Sequence, residues 1–268
     1  MISTDFPVDH SPLLADAGFA HAFFTRLGGV SAAPFDTLNF AVSVGDEAAN
    51  VAENMRRAAA HLGVAPQRLY YLSQVHGSDS LRLTSDLDAA AVRAHEGDIT
   101  YSDDAAVACG VRMADCAPVL LADRRTGAVA AVHSGWRGTV KGAAAAGVKV
   151  LRELIGGVGD VVAAVGPHIE VCCFEVGADV AAQIAAAAPE VDGVVVERQP
   201  RPHVDLRRVI AAQLRRVGVV QVEQVRGCTM CDGARYHSFR RAGAVSGRML
   251  AAIVPRAAGA PRRVAIFN

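Results

Sequence analysis

Residues 129–140 read VAAVHSGWRGTV and hold the only tryptophan of the chain. The run up to Val132 is apolar and β-like, while the run after Thr139 is alanine-rich and helix-favouring. A polar cluster of His133, Ser134, Trp136 and Arg137 therefore sits where a buried strand hands over to a helix. Gly135 and Gly138 suit a tight turn at that joint. Such joints belong to α/β chains; they carry catalytic groups in many enzymes and plain turns in others.

Outward from this stretch the two periods keep mixing. Helices are predicted at 47–62 ending before Gly63, at 139–154, at 178–190, and at 203–219, where Leu206, Val209, Ile210 and Leu214 recur at helical spacing. Strand patterns occupy 20–26 ahead of a Gly28–Gly29 turn, 68–83 with an interruption at His76–Gly77, and 127–133. Residues 98–123 read as two strands joined through Gly110. A further strand runs over 160–165. No repeat and no linker breaks the chain, and Pro200-Arg201-Pro202 is too short for a domain boundary. One α/β domain over 1–268 is expected.

The chain has 268 residues, 51% of them hydrophobic and 20% charged, a globular composition large enough to bury a full core. Its 27 basic residues balance 27 acidic ones, so no global field draws it to nucleic acid or to an anionic membrane. The start of the sequence lacks a basic segment followed by an apolar run, and no apolar stretch is of spanning length. A soluble cytoplasmic protein, without nucleic-acid or membrane partners, is the expectation. In that setting the six cysteines read as buried thiols, metal ligands or nucleophiles rather than disulfides.

Three residues share one context: His76 in SQVHG, Cys116 in MADCAPVLL and His133 in AAVHSGWRG each lie at the edge of a strand-like segment beside a turn residue. Two imidazoles and a thiolate are a plausible zinc set with a fourth position left for water or substrate. The same residues also suit a cysteine hydrolase, with Cys116 as nucleophile and His133 or His76 as base. Spacing alone does not choose between these and ordinary core residues.

ADCAPVLL (114–121) followed by AAVHSGWRGT (130–139), with QVHG (74–77) before them and GPHIEVCCFEVG (166–177) after, resembles the YfiH-type family, also called the laccase-domain family. AHAFFTRLGGVS (20–31), LNFAVSVGD with VAEN after it, and CTMCDGARYHSFRR (228–241) with GRM after it resemble family segments in the same order. The resemblance spans nearly the whole chain. It implies a layered α/β/β/α sandwich with mixed sheets and one zinc held by His76, Cys116 and His133. It implies phosphorolysis of purine nucleosides, namely adenosine, inosine and methylthioadenosine, with adenosine deamination as a second activity. Polyphenol oxidation and peptidoglycan editing are further roles attached to the family.

For phosphorolysis, Arg26 beside the Gly28–Gly29 turn is the leading phosphate contact, since a guanidinium matches phosphate oxygens with a planar fork. Arg137, near the next helix's N-terminus, is a second. Trp136 reads as a buried anchor under the turn, with stacking on a purine as the sharper alternative. A zinc-deaminase signature is only partial: His168 and Glu170 form an H-x-E, but Gly227 rather than proline precedes the C-x-x-C of Cys228 and Cys231. Multicopper oxidation is disfavoured because no two of the nine histidines are closely spaced, although copper could replace zinc at one site. A structural zinc at the C-x-x-C of Cys228 and Cys231 would need two more ligands, for which the adjacent Cys172 and Cys173 are an awkward source, so all four are taken as buried thiols, with a redox-sensitive pair as the alternative. A binding or assembly factor without chemistry of its own is the remaining alternative.

Overall fold

Strands Ala117–Asp123 and Val129–Ser134 pair antiparallel, Val119 opposite Val132 and Pro118 opposite His133. Every residue in both is buried. Side chains alternate across a strand, so each strand feeds two cores. Val119, Leu121, Ala130 and Val132 face a layer of helices, whereas Leu120, Ala122, Val129 and Ala131 face a second sheet. That double burial explains why these segments read as continuous apolar runs.

The structure, a computed structural model, describes residues 7–257. The ends of the expected 1–268 domain lie outside the described residues. Six strands form one sheet in the order Val222–Gln224, Val161–Val165, Ala117–Asp123, Val129–Ser134, Ile99–Ser102 and Ser80–Arg82. Its central pairs are antiparallel and its two edge pairs parallel. Five strands form the other: Val8–Asp9, His21–Phe24, Met249–Ile253, Ala108–Met113 and Leu69–Tyr70, of which only the last pair is parallel. Helix Ala48–Leu62 covers the outer face of this sheet, setting Met55, Ala58, Ala59 and Leu62 on Phe24, Leu69 and Leu250. Helices Ala143–Ile155, Ala178–Ala186 and Leu206–Arg216 cover the outer face of the six-stranded sheet. The result is the α/β/β/α sandwich with mixed sheets that the family resemblance implies. No helix among the described residues is long and apolar enough to cross a membrane.

Three local expectations are corrected. Residues 98–123 form three strands, not two, and Gly110 lies inside the middle one. A Cβ there would come within 2.8 Å of the Tyr70 carbonyl oxygen, so this glycine permits close strand packing rather than a turn. The helix expected at 139–154 is two, Trp136–Val140 and Ala143–Ile155, because Gly142 between them is left-handed at φ 77°. The strand expected at 68–83 survives only as Leu69–Tyr70 and Ser80–Arg82, and these belong to different sheets. The chain between them crosses from one sheet to the other, and His76 rides on that crossing.

Three buried histidines are expected to make the fold acid-sensitive. Burial pushes His21 down to about 4, and its Nε2 accepts the Ser11 N–H at 2.8 Å, which only a neutral ring can do. Burial and the neighbouring Arg207 take His168 to about 3; burial and Arg26 take His237 to about 3. All three bind fewer protons folded than unfolded below their ordinary value of about 6.5, so stability falls as pH falls through that window. Each is expected to remove up to about 1.4 kcal/mol per pH unit between roughly pH 6 and pH 4. Urea unfolding across this range checks it, and a flat profile would contradict neutral burial of these rings.

Candidate active site

The crossing loop brings His76 to the end of the strand that carries His133, and Cys116 immediately precedes the strand paired with it. One donor atom from each of the three lies within 4.8 Å of the other two. His76 Nε2 is 3.8 Å from Cys116 Sγ, and the two imidazoles meet edge to face with centroids 4.9 Å apart. Tetrahedral zinc with bonds of about 2.3 Å to sulfur and 2.0 Å to nitrogen separates those atoms by about 3.5 Å, so the donor set fits such an ion.

Behind the three lies Asp98, which the sequence reading missed. It is 1% exposed at the start of strand Ile99–Ser102, and its carboxylate accepts four hydrogen bonds. Oδ1 takes Nδ1–H of His133 at 2.7 Å and the His76 backbone N–H at 3.0 Å. Oδ2 takes the backbone N–H groups of Gly77 at 2.6 Å and Val75 at 3.2 Å. Donation from Nδ1 to Asp98 leaves Nε2 of His133 free as a ligand, the usual carboxylate–histidine arrangement behind a metal. The same carboxylate ties the His76 loop to the His133 strand. His76 itself sits at φ 60°, a conformation that bulky residues adopt only when held. The one sequence signal for Asp98 is an acidic residue directly ahead of an apolar strand, in GDITYS.

Cys116 follows Asp115, which is also left-handed at φ 86°. Asp115 is pinned from two sides: its carbonyl accepts the Ile169 N–H at 3.0 Å, and its carboxylate accepts Thr229 Oγ1 and the Arg240 N–H, each at 2.6 Å. Gly135 has an ordinary backbone, φ −66°, so the turn does not require glycine there. A Cβ at Gly135 would instead stand 2.8 Å from Cys116 Sγ and 3.0 Å from the His76 ring. The glycine therefore keeps space around the donor atoms.

The electrostatics follow from these contacts. Burial would raise the Cys116 thiol, but His133 and His76 hold it down to about 6. Burial would lower His133, but the Cys116 thiolate and Asp98 lift it to about 9. Asp98 is likewise pushed up by burial and drawn below its usual value by the bonds from His133 and Gly77. A thiolate is thus present at neutral pH for an imidazolium or a cation to balance.

The arginines are distributed differently from expectation. Arg26 is already ion-paired with Asp36 at 3.1 Å and donates to the Asp36 and Gly233 carbonyls. Arg137 is exposed and stacks on Trp136, 4.6 Å from guanidinium carbon to ring centroid. Trp136 is half-buried against the helix-side core, in keeping with an anchor. Arg248, of the GRM segment, lies near enough to Cys116 and Asp115 for both charges to counter the lowering of its pKa by burial. His168 and Glu170 of the H-x-E are engaged with Arg207, at 3.2 and 3.0 Å, and are not among the three convergent donors. Of the five cysteines besides Cys116, Cys109 is buried inside strand Ala108–Met113, but the other four are not all the buried thiols expected: Cys172 and Cys231 are exposed, Cys173 is half-buried, and their sulfurs gather with that of Cys228. These two groups are the convergences of three or more potential metal ligands among the described residues.

A family model described as multi-copper polyphenol oxidoreductase laccase matches residues 20–256. The chain belongs to this YfiH-type, laccase-domain family. A purine nucleoside phosphorylase of Mycobacterium tuberculosis is 39% identical over 217 residues, covering 81% of this chain and 84% of that protein. The purine nucleoside phosphorylase YfiH of Escherichia coli is 35% identical over 228 residues, covering 84% and 89%. The crystal structure of YlmD from Geobacillus stearothermophilus superposes with a TM-score of 0.84 at 32% identity, covering 92% of this chain and 94% of that one. The laccase-domain fold and the phosphorylase names therefore coincide on one chain.

Two substitutions test the geometry of the site. Asp98→Asn removes the charge that orients His133 and is expected to weaken the binding of a divalent metal at His76, Cys116 and His133 roughly 10- to 100-fold, as loss of a ligand's supporting partner does. Gly135→Ala, which displaces Cys116 and His76 without straining the backbone, is expected to weaken it by roughly tenfold with the fold intact. Competition against a chromophoric chelator measures both, and circular dichroism checks the fold. Unchanged affinity in both would remove Asp98 and Gly135 from the site.

Proposed function

We propose that this protein is a zinc-dependent purine nucleoside phosphorylase. Its substrates would be adenosine, inosine and S-methyl-5'-thioadenosine, each cleaved with phosphate to the free base and ribose 1-phosphate or its methylthio analogue. The observation that carries the reading is the convergence of His76, Cys116 and His133 with Asp98 buried behind them. The phosphorylase names of the relatives support the same class of substrate.

In the reaction, an oxygen of phosphate bonds to the anomeric carbon as the bond from that carbon to the purine nitrogen breaks, and the base leaves with that electron pair. Zinc bound by two neutral imidazoles and a thiolate would supply a net positive charge that attracts an anion and polarises what it touches. Asp98 holds His133 in the tautomer that presents Nε2. Cys116 contributes a thiolate at neutral pH, and Asp115, locked by its three partners, fixes where that sulfur stands. Arg248 is the better-placed anion contact, because Arg26 is occupied by Asp36. Arg137, stacked on Trp136, borders the joint and can meet the outer part of a bound substrate. Copper at the same three ligands would be a replacement ion.

One observation favours a second reading. Without metal, a Cys116 thiolate beside a charged His133 is the pair a cysteine hydrolase uses, including one acting on cell-wall precursors.

Chromatography of adenosine incubated with the pure protein, with and without phosphate, decides between them. Adenine and ribose 1-phosphate are expected only with phosphate, and inosine would reveal deamination. Cys116→Ala or chelator treatment is expected to lower turnover at least about 100-fold, the upper range for disabling a metal site's support. Adenosine returned unchanged by the zinc-loaded protein would sink the phosphorylase reading and bring the hydrolase forward.

A further inference from the structure

Two loops on the far side of Asp115 gather four further thiols. The segment around 168–175 carries Cys172 and Cys173, and the segment around 227–232 carries Cys228 and Cys231. They are held side by side by backbone bonds, His168 N–H to the Gly227 carbonyl and Thr229 N–H to the His168 carbonyl, each 3.1 Å. Cys231 Sγ is 3.5 Å from Cys172 Sγ and 3.2 Å from Cys173 Sγ, and all four sulfurs lie within 4.8 Å of one another. None is in a disulfide.

We propose that Cys172, Cys173, Cys228 and Cys231 form a second metal site, a tetrathiolate that takes one tetrahedral divalent cation such as zinc. Four sulfurs about 2.3 Å from a common zinc stand about 3.8 Å apart, between the shortest separation here, 3.2 Å, and the 4.8 Å within which all four lie. A multi-iron cluster would spread its cysteines farther. Cys228 and Cys231 have the C-x-x-C spacing in which one loop supplies two ligands, and the adjacent pair supplies the others from the facing loop. Adjacent cysteines look awkward as ligands in sequence, yet here both sulfurs reach Cys231. The surroundings suit the net negative charge of four thiolates around a divalent ion. The Glu170 backbone N–H donates to Cys228 Sγ at 3.5 Å. Arg198 and Arg240 flank the group, donating to the carbonyls of Cys172 at 3.3 Å and Cys173 at 3.4 Å.

The site would also position catalytic machinery without touching substrate. Both clamped loops bind Asp115, through the Ile169 N–H and the Thr229 hydroxyl, and Asp115 precedes Cys116. A cation joining the loops would hold that frame together. The inference does not rest on the phosphorylase reading, since its readouts are metal content and thiol protection.

The test is zinc stoichiometry, by elemental analysis of protein purified anaerobically and passed through a desalting column with zinc in the buffer beforehand. The Cys116→Ala protein, lacking a ligand of the first site, is expected to keep one zinc ion per chain. Cys172→Ser/Cys231→Ser in that background is expected to lose it. Because that variant could misfold, wild-type protein is alkylated in parallel with iodoacetamide and mapped by peptide mass spectrometry. Cys172 and Cys231, although exposed, are expected to resist alkylation until a chelator is added. Free alkylation of both in the zinc-loaded protein would overturn the proposal, and so would disulfide-linked peptides or zinc-free Cys116→Ala protein.

Discussion

The carboxylate of Asp98 is the interaction on which the candidate site depends. A buried carboxylate needs partners, because an unpaired charge removed from water is expensive by several kcal/mol. Asp98 finds all of its partners in two places, the crossing loop and the His133 strand. Satisfying the charge therefore brings the two together. It holds His76 in its left-handed conformation, selects the tautomer of His133, and leaves both rings facing Cys116. Packing sets the strands, and this polar contact sets the ligands on them.

A similar division of labour governs Cys116. The paired strands fix where Ala117 begins, but the sulfur position depends on Asp115, whose backbone conformation is sustained by Ile169 and Thr229 on two distant loops and by Arg240 on the short helix Phe239–Ala242. Those loops carry the four clustered cysteines. The sandwich thus presents its chemistry at the end of the central strand pair, with the sheet–sheet core on one side and chain segments from the C-terminal half closing over the other. Gly135 completes the arrangement by omission, since any side chain there would occupy the space the donors need.

The part of the fold carried by periodicity was legible in the sequence. The amphipathic helix expected over 203–219 and found as Leu206–Arg216, the helix ending at Gly63, and the buried strand up to His133 follow from apolar spacing and, for the second, from the glycine at its end. The misread segments were those where one residue type serves two purposes. Gly110 marks close packing rather than a turn, Gly142 breaks a run of alanines, and an alternating pattern over 68–83 spans two strands of different sheets. For the site, the two histidines and the cysteine were visible as residues at strand edges. Asp98 and Arg248 were not, because an acidic residue before a strand and an arginine in a loop are ordinary in any soluble chain.

The sequence by itself determined the α/β class, the apolar runs that become doubly buried strands, and a short set of chemically capable residues ordered along the chain. Only the tertiary structure decided which of those residues meet. His76, Cys116 and His133 are separated by forty and then seventeen residues, and Cys173 lies fifty-five residues before Cys228. Local propensity acts over a few residues, whereas these encounters are set by strand register, by sheet crossing and by a buried charge that must find its donors. The same physics moved Arg26 into an ion pair and drew four cysteines from two loops into one group.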